Sequence, residues 1–220
     1  EQGAVLESKG LSVGVVTGIC CQIRGEVTIK GTASHAGTTP MDLRKDALAA
    51  AAECMLEIED EAKKYPQAVA TVGKITAFPG GVNVVPGEVK FSIDMRNQKA
   101  ALRDAMFDKC VERMKAVCEK RGVSLDVNVL MRDDEGKPCA DHIQDIVAES
   151  CEKAGLPVFR MPSGAGHDSS TFADFCPMGM IFIRSKDGLS HNKDEYSSPE
   201  DCAAGAEVLY HTLLKLASED

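Results

Sequence analysis

Over residues 21–132 the apolar pattern changes period in an order that few folds can absorb. Residues 22–32 alternate, with Ile23, Val27 and Ile29 on one side, as a strand with one buried face does. From Leu43 the apolar positions Leu43, Ala47, Leu48, Ala51, Met55, Ile58 and Ala62 recur at helical spacing, with Lys63-Lys64 in the last turn and Pro66 as the stop. Residues 69–78 and 82–95 read as strands joined through Pro79-Gly80-Gly81, the second interrupted at Val85-Pro86-Gly87-Glu88. A second helix carries Leu102, Met106, Cys110, Met114 and Val117 on one stripe and ends at Gly122, after which residues 123–130 alternate again. The order β-α-β-β-α-β is the split βαβ, ferredoxin-like arrangement, an antiparallel sheet with two helices on one face. Residues 21–133 are therefore expected to form a domain of their own, flanked by residues 1–20 and 134–220.

The flanks read differently. Residues 11–19 are β-branched and apolar on both faces, as a buried strand is. After the charged turn Asp133-Asp134-Glu135-Gly136-Lys137-Pro138 come a helix holding Ile143, Ile146, Val147 and Cys151, strands at 158–161 and 178–183, and a last helix from about 199 to 216. Two short apolar strands are too few for a closed sheet, so this α-β-β-α piece is expected to be the returning half of a larger α/β domain. Glu1-Gln2-Gly3-Ala4-Val5-Leu6-Glu7 reads as a loop entering mid-motif, with further chain expected before it.

Composition narrows the function classes. A hydrophobic share of 44% with 27% charged residues is ordinary for a globular chain, and no run approaches the roughly 18 apolar residues of a membrane span. The nine cysteines are odd in number and none lies in a C-x-x-C pair, which reads as buried reduced thiols and a cytoplasmic setting. A formal charge of -9 without a Lys/Arg cluster argues against nucleic acid or an anionic membrane as partner. An anionic substrate would need a local positive group.

Of the five histidines, His142 and His211 lie within helical patterns, whereas His35, His167 and His191 each stand on a Gly/Ser-rich turn after a strand. His35 sits in Gly31-Thr32-Ala33-Ser34-His35-Ala36-Gly37-Thr38-Thr39-Pro40-Met41, either a simple turn residue or an exposed donor. The stretch Ser163-Gly164-Ala165-Gly166-His167-Asp168-Ser169-Ser170 lacks a P-loop Lys and fails G-x-G-x-x-G at Ser169 and G-x-S-x-G at Met161. Close backbone approach beside a His-Asp pair remains, alongside a plain strand-to-helix turn. His191, next to Asp194 and Glu195, could bind a metal with outer-sphere carboxylates, yet one His cannot make a zinc site. Arg96 at a strand end could clamp a carboxylate in a planar two-bond geometry or pair with Asp94, and Asn83 follows the Pro-Gly-Gly turn.

Together, Glu1-Gln2-Gly3-x-Val5-Leu6-Glu7, Ser34-His35-Ala36-Gly37-Thr38-Thr39-Pro40-Met41, Gly81-Val82-Asn83-Val84-Val85-Pro86-Gly87, Asp94-x-Arg96, Ser163-Gly164-Ala165-Gly166-His167-Asp168 and Ser190-His191 resemble the hydantoinase/carbamoylase branch of the M20 metallopeptidase superfamily. That branch holds N-carbamoyl-L-amino acid hydrolases, β-ureidopropionases and allantoate amidohydrolases. The resemblance implies a ferredoxin-like lid, through which two subunits form a homodimer, inserted in an α/β zinc-exopeptidase-like catalytic domain. It implies a zinc-dependent hydrolase of C–N bonds other than peptide bonds, acting on a small carboxylated ureido or amide substrate. His191 matches the metal-ligand His. Gln2, Asn83, Arg96 and His167 match substrate contacts, with Arg96 and Asn83 on the substrate carboxylate, and His35 matches the lid His that reaches the partner subunit's site and steadies the oxyanion.

The departures are Ala4 where the family usually has Pro, and Ser169 where Ala is common. The resemblance puts the other ligands of two divalent ions, zinc or manganese, and the general-base Glu before Glu1. The chain is accordingly expected to be the C-terminal portion of such an enzyme, holding metal weakly and inactive alone. The competing expectation from another class is a non-catalytic dimerisation or binding module that retains the motifs.

Overall fold

The computed structural model describes residues 3–218. The chain divides into two compact units, Cys21–Glu135 and a terminal unit built from the chain up to Cys20 and from Gly136 onward.

In chain order the elements begin with helix α1 (Val5–Lys9) and strand β1 (Val13–Ile19). Of the loop expected at Glu1–Glu7, Val5–Glu7 lie in α1 instead, with Leu6 fully buried and Gly10 closing the helix in the left-handed region. The Cys21–Glu135 unit follows: β2 (Cys21–Lys30), β3 (Ser34–His35), α2 (Ala47–Ala62), β4 (Val69–Thr71), β5 (Ile75–Phe78), β6 (Val84–Val85), β7 (Glu88–Asn97), α3 (Ala100–Arg121) and β8 (Ser124–Arg132). Its sheet runs β4-β7-β2-β8, every pair antiparallel, with β5 also on β7. This is the ferredoxin-like order. β4 and β5 are one edge strand broken where Lys74 exchanges bonds with Ser92: its N–H donates to Ser92 Oγ, and its carbonyl accepts the Ser92 N–H.

β7 alternates buried and half-buried along its whole length, so Val89, Phe91, Ile93 and Met95 line the core face. Against them α2 sets Ala47, Ala50, Ala51, Cys54 and Ile58, and α3 sets Met106, Cys110 and Met114. A fully buried side chain of the Ile or Phe class contributes about 1.5–3 kcal/mol each, which makes this cluster the main support of the unit. One expectation for the helices changes, and one burial was not foreseen. Leu43 stands exposed on a short 3-10 turn rather than in the α2 stripe, because Asp46 starts the helix by accepting the Leu48 and Ala49 N–H groups. Arg103 of α3, a charged residue, is almost wholly buried. Its guanidinium donates to the Asp133 carbonyl at 2.6 Å, and the Asp133 carboxylate accepts the Gln22 N–H at 2.9 Å. That tie holds the chain's entry and exit together and carries the unit past residue 133 to Glu135.

The terminal unit adds β9 (Lys137–Pro138), α4 (Asp141–Lys153), β10 (Arg160–Ser163), β11 (Ile181–Ile183) and α5 (Pro199–Leu216). β1 lies between β10, parallel to it, and antiparallel β11, with β9 pairing near its end. Both later strands begin two or three residues after the expected starts. Ile143, Val147, Ile181, Ile183 and Leu213 line an apolar cavity of ≈ 670 Å³, and Leu209, Tyr210 and Leu214 of α5 are exposed. All nine cysteines are free thiols, and among the described residues no helix is long and apolar enough to cross a membrane.

Asp46→Ala removes the one oxygen, Oδ1, that accepts both cap N–H groups of α2 and should lower the unfolding free energy by about 1 kcal/mol, whereas Asp46→Asn should cost only a few tenths. Urea unfolding of the three proteins measures it, and equal midpoints for Ala and wild type would refute the cap.

Candidate functional site

His35 occupies a built turn. β3 pairs with β6 in a two-stranded ribbon, His35 opposite Val84, and the Ala36 N–H donates to the Asn83 carbonyl at 2.9 Å. The His35 carbonyl accepts from the Thr39 N–H at 3.1 Å and from Thr39 Oγ1 at 2.8 Å. The imidazole folds back over this turn, where Nδ1 accepts the N–H of Gly37 at 3.1 Å and of Thr38 at 3.2 Å. A ring nitrogen that accepts carries no proton, so the neutral ring holds its hydrogen on Nε2. The exposed side chain therefore presents a donor. Gly37 permits the fold-back, since a Cβ there would stand 3.3 Å from the ring.

Asn83 is exposed beside that turn, and Arg96 lies at the far end of β7. Glu88 to Arg96 at about 3.4 Å per residue is roughly 27 Å of strand, well beyond what the two side chains can bridge. His35 and Asn83 are thus brought together, while Arg96 is held apart from both. Within one chain Arg96 and Asn83 cannot close on the same carboxylate. Arg96 instead grips Asp94 with Nε at 2.7 Å and Nη2 at 2.9 Å, and Arg24 Nε reaches the same carboxylate at 3.0 Å. Burial acts to raise the Asp94 carboxyl, but the hydrogen bonds and charge of Arg96 and Arg24 outweigh it and hold the group below the usual carboxylate range.

In the terminal unit His167 follows β10, and its Nε2 lies 2.6 Å from the wholly buried Ser163 Oγ. Its ring tilts against Phe182 of β11 at 5.7 Å between centroids. His191 sits beyond β11 in the left-handed region, φ 55°, where its N–H donates to Glu195 Oε2 at 2.9 Å. The loop's turn packs on the start of the chain: the Asp187 N–H donates to Glu7 Oε2 at 2.9 Å, and a Cβ on Gly188 would fall 2.3 Å from the Ala4 nitrogen. The His167 and His191 loops leave opposite ends of β1. Gln2 lies outside the described residues.

The sequence pattern of peptidase family M20/M25/M40 matches residues 1–215. The chain belongs to this family. It is 46% identical over 219 residues to an N-carbamoyl-L-amino acid amidohydrolase of Geobacillus stearothermophilus, covering 99% of this chain and 53% of that protein. With the allantoate amidohydrolase of Escherichia coli (strain K12) it shares 39% over 218 residues, again 99% and 53%. The crystal structure of a hydantoinase/carbamoylase family amidase from Burkholderia multivorans matches with a TM-score of 0.96 at 33% identity, covering 100% of this chain and 53% of the other. The chain spans about half the length of the curated relatives it matches.

The M20 family implies divalent metals, so the donors deserve a test of fit. Among the described residues no three His, Cys, Asp or Glu side chains converge as a metal-binding group. Glu195, beside His191, already accepts that residue's own N–H. These donors do not make a complete centre, and His191 alone cannot. Sequence reasoning quotes Gly37 and Ser163 only as motif residues and gives no part to Arg44; Gly37 and Arg44 hold the His35 turn, and Ser163 meets His167.

A depressed carboxyl adds stability above its unfolded value, near 3.9, and loses it as pH falls through the folded value. Asp94→Asn should therefore flatten the acid limb of the stability curve below about pH 4. Urea midpoints taken from pH 5 down to 2.5 measure this, and superimposable limbs would show that the Asp94 pairs contribute nothing.

Proposed function

We propose that this chain is part of an amidohydrolase that cleaves a linear C–N amide or ureido bond in a small carboxylated substrate, most closely an N-carbamoyl-L-amino acid. The observation that carries the reading is the His35 imidazole, fixed by two backbone N–H groups at Nδ1 so that Nε2 carries the outward proton. Attack of water on a ureido or amide carbonyl places negative charge on its oxygen. A donor preset in direction stabilises that oxyanion without reorganising. The 46% identity to an N-carbamoyl-L-amino acid amidohydrolase supports the substrate class, and the 39% identity to an allantoate amidohydrolase supports a second ureido substrate. His167 on its Gly-rich turn is assigned to the substrate, and His191 is this chain's contribution to a divalent-metal site of the whole enzyme.

Arg96 and Asn83 are assigned to the substrate carboxylate, and His35 to the reacting end. The length of β7 between them supports a homodimer, in which His35 and Asn83 of one copy serve the Arg96 of the other. Free thiols in all nine cysteines fit a cytoplasmic setting.

In the full-length parent enzyme, His35→Ala should lower kcat by about 10²-fold or more at unchanged metal content. Unaltered turnover would remove His35 from the mechanism. Arg96→Lys should raise KM for N-carbamoyl-L-amino acids and allantoate alike, because an ammonium cannot reproduce the planar two-bond contact. A panel of both substrates assigns the preference, and an unchanged KM across it would sink the clamp.

A further inference from the structure

His35 owes its direction to the turn beneath it, and the turn has one side chain gripping it from outside. Arg44, half-buried between the 3-10 turn and α2, donates from Nη2 to the Ala36 carbonyl at 2.6 Å and from Nε to the Thr39 carbonyl at 3.1 Å. Among the described residues it forms no ion pair with a carboxylate, so the charge of its guanidinium falls on these two carbonyls. We propose that Arg44 is a positioning residue for His35, acting through the Ala36–Gly37 peptide.

The argument is geometric. A trans peptide points its C=O and the following N–H in opposite directions within one plane. The Ala36 carbonyl and the Gly37 N–H belong to the same plane. Arg44 pulls on the carbonyl side, and His35 Nδ1 takes the N–H on the other at 3.1 Å. The guanidinium thus sets the plane's rotation and polarises the N–H toward the ring, since hydrogen bonds in series strengthen one another. Its second bond, at Thr39, closes the far side of the loop, whose N–H and hydroxyl both return to the His35 carbonyl. A charged donor makes each of these bonds stronger than a neutral one would. Without Arg44 the peptide can rotate, Nδ1 loses a donor that selects its unprotonated state, and Nε2–H no longer has a fixed direction.

The activity arm of the test rests on the reading of His35 as oxyanion donor; the structural arm does not. On this chain, amide hydrogen exchange of Gly37 and Thr38 should accelerate at least about 10-fold in Arg44→Met while amides of Val27 and Phe91 in the sheet keep their protection. Arg44→Lys, which retains charge but not the fork, should lie between, and serves if the Met variant does not fold. Unchanged exchange at Gly37 and Thr38 in the folded variant overturns the proposal. In the full-length parent enzyme, Arg44→Met should lower kcat about 10-fold or more with KM changed less than about two-fold, and should add less than about two-fold on a His35→Ala background. Full additivity of the two substitutions, or a loss confined to KM, also overturns it. A His35→Ala enzyme of normal kcat would refute the functional reading, and the exchange result would still decide the role of Arg44.

Discussion

The antiparallel register of β2 on β7, ten residues without a slip from Cys21 opposite Asn97 to Lys30 opposite Glu88, fixes where chemistry can occur in the Cys21–Glu135 unit. Its buried face anchors both helices, so a one-residue slip would turn Phe91 and Ile93 out of the core. The same pairing delivers Gln22 and Arg96 to one end, beside the entry and exit tied by Arg103, and delivers the His35–Asn83 ribbon to the other. Position along a rigid strand is not adjustable by side-chain motion.

The order of elements in this unit was legible because each half-buried element displays its own period: two for β7, near 3.6 for α2. What lay outside that logic was missed. Leu43 satisfied the period, but Asp46 captured the helix start, a local hydrogen-bond choice that hydropathy does not record. Arg103 broke the hydrophobic rule because its guanidinium is fully engaged, by the neighbouring Asp104 carboxylate and by the carbonyls of Gln22 and Asp133, and those carbonyls are 81 and 30 residues away in sequence. The break between β4 and β5 was hidden for the same reason, since it depends on Ser92 of the neighbouring strand.

The surroundings of the three histidines were legible in part. His167 and His191 stand in loops after β10 and β11, as their Gly-rich stretches suggest, whereas His35 closes the short strand β3 and only the residues after it form the turn. Direction was invisible: that the His35 ring turns back on Gly37 and Thr38, and so exposes Nε2, follows from the turn's closure by Thr39 and Arg44. For His191 the left-handed backbone is tolerable because imidazole, like the short polar side chains, is among the non-glycine residues enriched there, and Gly188 lets the loop press against Ala4. In the terminal unit the sheet is built from short strands, and Leu209, Leu213 and Leu214 of α5 stand exposed.

Charge explains how an acidic chain can keep a positive group in one place. With a net charge of -9 the average field repels anions, so recognition depends on a local imbalance. Asp94 supplies it in an indirect way: one carboxylate draws in two guanidinium groups, Arg96 and Arg24, which leaves the trio with one net positive charge. The bidentate bond also fixes the plane of the Arg96 guanidinium before any substrate arrives, so little side-chain freedom remains to be lost on binding. The reading in which Arg96 pairs with Asp94 and the reading in which it clamps a carboxylate are therefore not rivals. The pair with Asp94 is what the structure holds, and it leaves the trio its positive charge.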